Sequence, residues 1–369
     1  MMFAKGGESL GSHFITGFPG FVATEMIHQL FRQNITKEVF AVVLLSDLAK
    51  AKGVVQTIEK QYEGCQIVLF EGDITIPDLD IADQDFELIA PKIEVAWHLA
   101  AIHDETVRRE KAWKVNVHGT ANVNEFVCRL PNLKRYMYFS TAFIAGKRKG
   151  KILEIELIRP AEFHNFLEET KFEAELLVDD LKLEVPITIV RPTMIYGNSK
   201  TGVTGRFDGI YFLMILVDYL KEQFLFPQIG GKQTDLHAVA VDYVVEASVA
   251  LSLQKEAEGE TVHLTASKPP KVLTVYQELV KLMTHRKTFG ILPLGIAKAM
   301  LEQQSIRNAW HVTPKIIDYL DSEAEFDTTD CERLLMQTKI CPTDLLQALP
   351  NLVRFYEENK HVQSFHMKI

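Results

Sequence analysis

Short apolar runs alternate with amphipathic stretches along the first half of the chain. The runs are rich in β-branched and aromatic residues, and the run EVFAVVLL at 38–45 is apolar almost throughout, as in a strand that is buried on both faces. Predicted strands lie at 13–16, 38–45, 66–70, 93–98, 135–140 and 186–190. Predicted helices fall between them at 21–31, 47–62, 105–129 and 161–183. This order predicts an α/β fold with a doubly wound parallel Rossmann sheet.

The pattern loosens after Pro192. Residues 199–235 combine a Gly-rich loop with an apolar helix, and residues 267–369 are typical of a mostly helical region with short connections. A helix at 239–253 and a strand at 260–264 are expected to return to the main sheet. We therefore predict a Rossmann domain formed by residues 1–198 with 236–266. A smaller, mostly helical substrate lobe is predicted from residues 199–235 with 267–369.

Composition limits the kinds of partner. The chain has 369 residues, 47% of them apolar, and a formal net charge of −9, which argues against a nucleic-acid or anionic-membrane surface. Its four cysteines lack the paired spacing of a zinc site or a disulfide framework, so we predict no metal. No secretory signal is visible, and no apolar run is long enough to span a membrane. We expect a cytoplasmic protein that binds small molecules.

A glycine turn follows the first predicted strand and opens the first predicted helix. The turn reads TGFPGFVA at 16–23, and the first glycine permits a tight turn while the second lets the backbone approach a pyrophosphate at the helix N-terminus. An ordinary strand-to-helix turn is the alternative for such a short motif. Its position favours a dinucleotide site. The predicted contacts are Thr16, Gly17, Phe18, Pro19, Gly20 and Phe21.

Five further segments follow this turn in order. They are EGDI at 71–74, HLAA at 98–101, NVHGT at 116–120, YFSTAFIAG at 138–146 and RPTMIYG at 191–197. Together with the turn, they resemble the motifs of the extended short-chain dehydrogenase/reductases. The resemblance implies catalytic roles for Thr141, Lys171 and Asn116, and cofactor contacts at Asp73, Ile74, Leu99, Ala100, Ala101, Lys171, Arg191 and Pro192. It also implies a homodimer.

Within that superfamily, the chain is most similar to the thioester reductase and fatty acyl-CoA reductase branch, whose members are also called male-sterility-like proteins. The segments KTGVTGRFDG at 200–209 and VAVDY at 239–243 carry this resemblance. It implies an NAD(P)H-dependent oxidoreductase that reduces an acyl thioester or an aldehyde, with a small-molecule or carrier-bound acyl substrate. The apolar run at 210–217 is predicted to be a buried helix, with an acyl channel as the alternative.

The choice between NADP and NAD stays open at the sequence level. An acidic residue at the end of the second strand binds the ribose of NAD, and an arginine there favours NADP. Asp47 is the candidate for ribose binding, but it could equally cap the following helix. Lys50 and Lys52 follow it, on what is by default a solvated helix face.

The resemblance fails at one position. Members of the superfamily carry a tyrosine four residues before the lysine, and this chain has Leu167 four residues before Lys171. Leucine can neither donate nor accept a proton. Substitutes would be a water chain held by Asn116 and Lys171, or a side chain such as His164, Tyr196 or Tyr211. The alternatives to a working reductase are a catalytically degenerate dinucleotide-binding sensor or scaffold and, less favoured, a sugar-nucleotide epimerase or dehydratase.

Overall fold

A seven-stranded sheet lies at the centre of the molecule. The structure, a computed structural model, describes residues 11–102, 107–221, 226–230, 234–293 and 322–366. In chain order its strands are β1 (Ser12–Thr16), β2 (Glu38–Val43), β3 (Gln66–Glu71), β4 (Ile93–His98), β5 (Arg135–Phe139), β6 (Gly150–Ile152), β7 (Ile187–Pro192), β8 (Met194–Tyr196), β9 (Phe226–Gly230), β10 (Ala238–Ala240), β11 (Thr261–Leu264), β12 (Thr288–Pro293) and β13 (Ala324–Phe326).

The main sheet has the order β3-β2-β1-β4-β5-β7-β11, and every neighbouring pair is parallel. This is the doubly wound order. The order in which strands are added to the sheet reverses between β1 and β4, and this leaves a crevice at the carboxyl ends of those two parallel strands. The prediction of a parallel Rossmann sheet is confirmed. The predicted return of the strand at 260–264 is confirmed as well, because β11 pairs with β7.

Helices cover both faces of the sheet. They are α1 (Phe21–Arg32), α2 (Leu48–Gln61), α3 (Asp83–Ile89), α4 (Arg109–Ala112), α5 (Gly119–Cys128), α6 (Phe166–Asp179), α7 (Tyr211–Leu220), α8 (Val241–Ser252), α9 (Val272–Thr284), α10 (Thr329–Leu335) and α11 (Leu345–Asn359). Successive strand residues point to opposite faces. On β1, Phe14 packs with α5 and α6 on one face, and Ile15 packs with α1 and α8 on the other.

A second apolar cluster is built by α7, α9 and α11. The predicted buried helix is confirmed here, since every residue from 211 to 217 is buried. In the described residues after 267, two strands accompany the helices, since β12 pairs with β9 and β13 pairs with β6. The division of the chain into two domains stays a prediction. None of the helices in the described ranges is both long and apolar enough to cross a membrane.

One ion pair lies wholly inside the protein. The guanidinium of Arg191 on β7 contacts the carboxylate of Glu175 on α6, with Nε to Oε1 at 2.8 Å, and the side chains are 2% and 0% exposed. The same guanidinium donates to the Glu154 carbonyl at 3.0 Å. The pair therefore ties α6 to the sheet, beside the crevice.

We expect Glu175→Gln to lower the free energy of unfolding by about 3–5 kcal/mol, because it leaves the Arg191 charge buried without its counterion. Urea denaturation followed by circular dichroism measures this. The control is Glu260→Gln, which breaks a half-exposed pair with Arg333 and should cost less than about 1 kcal/mol. Equal losses in the two variants would contradict the prediction.

Candidate active site

A large cavity opens at the carboxyl ends of β1, β4 and β5. Its volume is 1270 Å³, above the roughly 300–1,000 Å³ of a typical small-molecule site. One wall is the glycine turn with the ends of β2 and β3, and the opposite wall is the loop 204–209 that leads to α7. The cavity therefore lies between the sheet and the second apolar cluster.

The glycine turn is shaped for close approach to a ligand. Gly17 has φ +87°, a conformation that side chains disfavour, and a Cβ there would lie 2.9 Å from the Ala100 nitrogen. A Cβ on Gly20 would lie 2.6 Å from the Gly17 carbonyl oxygen. Gly20 also precedes α1 as its N-cap residue, with no capping side chain. The free N–H groups of α1 are thus left for an anion.

A buried hydrogen-bond network holds the floor of the cavity. Thr120 Oγ1 donates its proton to the Asn116 carbonyl at 2.6 Å, so at 3.0 Å it accepts from His98 Nε2. His98 Nδ1 is then an acceptor, and Thr16 Oγ1 donates to it at 2.8 Å while accepting from the Ala100 N–H at 3.1 Å. Burial lowers the pKa of His98 to about 3, so the imidazole is neutral.

Asn116 lies in an irregular turn of helix. Residues Trp113–His118 form a π-helix between α4 and α5, an insertion that often accompanies functional sites. The Asn116 side chain accepts from the Ile102 N–H and donates to Thr170 Oγ1, both at 2.9 Å. It therefore links the segment after β4 to α6, and it does not line the cavity.

Lys171 points away from the cavity. Its Nζ donates to the Phe139 carbonyl at 2.6 Å and to the Tyr138 hydroxyl at 3.1 Å. Burial lowers its pKa to about 8, against the opposing charge of Glu175. No residue of α6, including Leu167, is among the lining residues in the described part of the chain. Strand β5 therefore holds the lysine for which the resemblance implies a cofactor contact.

Two hydroxyls at the end of β5 do reach the cavity wall. Thr141 Oγ1 donates to the Pro192 carbonyl at 3.2 Å and accepts from the Phe143 N–H at 3.3 Å. Ser140 has a buried hydroxyl with no hydrogen-bond partner among the described residues. Such an orphan group is costly unless a ligand or water completes it. Ser140 is thus a candidate that the motif comparison passed over.

Thirteen of the predicted site residues line the cavity: Gly17, Phe18, Pro19, Gly20, Phe21, Asp47, Asp73, Ile74, Leu99, Ala100, Ala101, Thr141 and Pro192. Four do not: Thr16, Asn116, Lys171 and Arg191. The first three make hydrogen bonds to segments next to the cavity: Thr16 to His98, Asn116 to Ile102 and Lys171 to Phe139. Arg191 pairs with the buried Glu175 in this structure, and its contact with a cofactor stays a prediction.

The structure also bears on the two choices that the sequence left open. Asp47 lines the cavity and makes no capping hydrogen bond to α2, which favours a ligand over a cap. The acyl-channel interpretation of the apolar run is wrong for 210–217 as a whole, because those side chains pack in the second cluster and Phe212 alone of them reaches the cavity.

Three side chains, those of His164, Tyr196 and Tyr211, are the candidates to replace the missing tyrosine as proton donor. His164 Nδ1 contacts Glu168 at 3.0 Å, the Tyr211 hydroxyl accepts from the Gly197 N–H at 3.2 Å, and Tyr196 is buried beside Thr343. None of the three side chains lines the cavity.

Charged side chains complete the walls, and Lys111, Lys114, Arg206 and Asp208 among them were not predicted as site residues. The cavity carries four basic side chains, Lys50, Lys111, Lys114 and Arg206, against three acidic ones, Asp47, Asp73 and Asp208. This balance contrasts with the net charge of −9 for the whole chain. The described residues contain no group of side chains arranged to hold a metal ion.

Comparison with known proteins agrees with this geometry. The family model described as male sterility protein, an NAD-binding domain, matches residues 15–248, more than half of the chain. The chain belongs to the male sterility protein family. The cofactor of this family member is therefore NAD(P), and the shape of the glycine turn fits it. Residues 17–21 would hold the pyrophosphate, and Asp47 and Asp73, which line the same cavity, stay the predicted contacts for the ribose and the adenine.

Relatives of this family member include two kinds of protein. A non-canonical nonribosomal peptide synthetase, cpsA from Aspergillus campestris, is 28% identical over 69% of this chain and 25% of its own length. The fatty acyl-CoA reductase wat from Drosophila melanogaster is 26% identical over 64% of this chain and 53% of its own length. The chain thus spans about half or less of the curated relatives that it matches.

Solved structures agree on the fold. The terminal R domain from the myxalamid PKS-NRPS biosynthetic pathway superposes with a TM-score of 0.80 at 21% identity, covering 96% of this chain and 93% of that one. A UDP-glucuronic acid 4-epimerase from Bacillus cereus in complex with NAD superposes with a TM-score of 0.65 at 19% identity, covering 94% and 99%. These superpositions confirm the fold, and the match over residues 15–248 confirms the resemblance to the male-sterility-like proteins.

We expect Gly17→Ala to weaken NADH and NADPH binding at least about tenfold, which corresponds to 1.4 kcal/mol. The added Cβ is strained at φ +87° and displaces the backbone of Ala100. Fluorescence titration measures the affinity. The matched control is Gly53→Ala on α2, where a Cβ meets nothing within 4 Å and affinity should be unchanged. Unaltered binding by the Gly17 variant would place the cofactor elsewhere.

Proposed function

We propose that this protein is an NAD(P)H-dependent reductase of an acyl thioester or an aldehyde. The single observation that carries the proposal is the cavity itself. In it the glycine turn and the start of α1, residues 16–24, which we call the dinucleotide cradle, lie with the hydroxyls of Ser140 and Thr141 and the loop 204–209 around one space. Relatives named as fatty acyl-CoA reductases and peptide synthetases support the same substrate class. A small-molecule or carrier-bound acyl group would enter beside that loop.

The chain supplies binding, orientation and polarisation. Bound NAD(P)H supplies the hydride when the cofactor is present. Thr141 can turn its hydroxyl from the Pro192 carbonyl toward a substrate oxygen, and the unpartnered Ser140 hydroxyl can donate there without breaking a hydrogen bond. Reduction of a thioester yields a hemithioacetal that expels its thiol, so a strong acid matters less at that step. General acid–base catalysis is worth about 10²–10⁴ in rate, whereas positioning contributes roughly 7–11 kcal/mol.

The test combines binding and turnover. Titration of the purified protein with NADPH and with NADH should give micromolar affinity for at least one, and the ratio identifies the preferred cofactor. Incubation with acyl-CoAs, acyl-carrier thioesters and aldehydes should then oxidise that cofactor faster than buffer alone. Ser140→Ala and Thr141→Val are expected to lower turnover with little change in cofactor affinity. Absence of turnover over the whole panel would refute the reductase proposal.

A second candidate function is dinucleotide binding without catalysis, as a sensor or scaffold. The observation that favours it is the orientation of Lys171, whose Nζ is occupied by Tyr138 and Phe139 behind the cavity wall. We infer that Leu167 stands where the superfamily has its catalytic tyrosine, at position i−4 on the same face of α6. A homodimer remains a proposal from the resemblance, and a cytoplasmic location remains a proposal from the sequence.

We expect Leu167→Tyr to raise turnover at least about tenfold if the protein is a reductase, because the tyrosine hydroxyl extends beyond the leucine side chain and would supply a general acid worth roughly 10²–10⁴ where it reaches the cavity. The gain should grow in Leu167→Tyr combined with Tyr138→Phe, since the second change removes one of the two contacts that hold Lys171 and leaves only the Phe139 carbonyl. Steady-state kinetics at saturating cofactor measures both. Phe166→Tyr is the control, because it adds a hydroxyl at the neighbouring, 44% exposed position. Turnover at the buffer rate in both Leu167 variants would favour the non-catalytic candidate.

A further inference from the structure

The dinucleotide cradle carries no cation of its own. Residues 16–24, which read TGFPGFVAT, contain no lysine, arginine or histidine. A pyrophosphate brings two negative charges, while a helix N-terminus offers the equivalent of about half a positive charge. A basic side chain on another part of the cavity wall would offset the remaining negative charge.

The loop 204–209 comes down onto the cradle. A Cβ on Gly205 would lie 2.6 Å from the Cβ of Phe21, the first residue of α1. Glycine is therefore required for the loop backbone to approach so closely. The residue after it, Arg206, lines the cavity one position from this contact.

The same loop is fixed on its other side. Phe207 is 2% exposed, and its ring packs against Tyr211, Tyr356 and Phe365 at centroid distances of 5.1–5.2 Å. Its backbone N–H donates to the Phe365 carbonyl at 2.8 Å. Arg206 thus sits between two anchored neighbours, on a backbone whose position is set before any ligand binds.

The guanidinium of Arg206 is only partly engaged. Its Nε lies 3.3 Å from Asp208 Oδ2, and the two side chains are 39% and 43% exposed. No other ion pair joins Arg206 to the described residues. The two terminal nitrogens are left with the planar fork geometry that suits a phosphate. Asp208 holds the guanidinium near the cavity and partly neutralises it.

The other basic residues of the cavity stand elsewhere. Lys50 is on α2 behind the end of β2, next to Asp47. Lys111 and Lys114 precede Gly119, whose Cα packs on Ile74 at the end of β3, the predicted adenine side. Arg206 is therefore the basic residue on the loop that contacts the start of α1.

We propose that Arg206 is a phosphate clamp, which binds the pyrophosphate of the dinucleotide from the side opposite the N-terminus of α1. The inference deepens the proposed function, on which it rests only for the statement that the cavity binds a dinucleotide. Cofactor binding then spans both sides of the cavity, with backbone N–H groups on one and a guanidinium on the other. Asp208 is a competitor that the pyrophosphate displaces from Arg206.

The test is equilibrium binding, which is independent of turnover. Arg206→Ala should weaken NADPH and NADH binding about tenfold to a hundredfold in a fluorescence titration, and Arg206→Lys should recover part of the loss. Reduced nicotinamide mononucleotide, which lacks the pyrophosphate, should lose less affinity. The matched control is Arg354→Ala on α11, an exposed arginine outside the cavity whose contact is with the Thr201 carbonyl.

Asp208→Asn gives a change of opposite sign. It removes the competing carboxylate and should tighten dinucleotide binding about twofold to fivefold, and the gain should vanish when Arg206→Ala is also present. A merely structural role for Arg206 would weaken binding in every variant of the loop. Circular dichroism confirms that each variant is folded.

The outcomes separate the proposed function from the phosphate clamp. If the unaltered protein binds no dinucleotide, the proposed function fails. If it binds and Arg206→Ala does not weaken that binding, the clamp alone is overturned. Loss of affinity for coenzyme A, with dinucleotide affinity intact, would assign Arg206 to a substrate phosphate and would equally overturn the clamp.

Discussion

The site depends on one desolvated histidine. His98 has both ring nitrogens paired inside the protein, one with Thr16 at the end of β1 and the other with Thr120 on α5. A buried imidazole in this setting stays neutral and fixed in one tautomer, because protonation would leave a charge without water or counterion. The ends of β1 and β4 and the start of α5 are therefore held in one arrangement. The glycine turn, the Ala100 backbone and Asn116 all take their positions from it.

The sheet was predictable because its signals are local. Apolar runs of the right length, separated by amphipathic stretches, lead to parallel strands and crossover helices, and the seven-stranded order follows from right-handed connections. The cradle was predictable for the same reason, since Gly17 and Gly20 are adjacent in sequence to the strand and helix that they join. The small parallel pairs, such as β9 with β12, were not, because their partners are far apart in the chain.

Side-chain orientation lies beyond what such patterns contain. Lys171 and Arg191 both fall within family motifs, yet each turns to a buried partner contributed by a distant segment. Only the packed structure shows that Glu175 lies within reach of Arg191, or that the Phe139 carbonyl competes for Lys171. In the same way, Arg206 was visible only as one letter of a Gly-rich loop. The residues that contact its loop, Phe21 against Gly205 and Phe365 against Phe207, are separated from Arg206 by more than 150 residues on either side.

The packing of Phe207 shows which parts of the chain are needed to form the cavity. Its ring is held by residues of the last helix and of the segment that follows, at Tyr356 and Phe365. Both lie well beyond residue 248, where the match to the family ends. The cofactor cavity is accordingly a property of nearly the whole sequence. A fragment cut at the end of the family match would retain every strand of the doubly wound sheet except β11. It would lose Tyr356 and Phe365, which hold the loop 204–209 on one wall of the cavity.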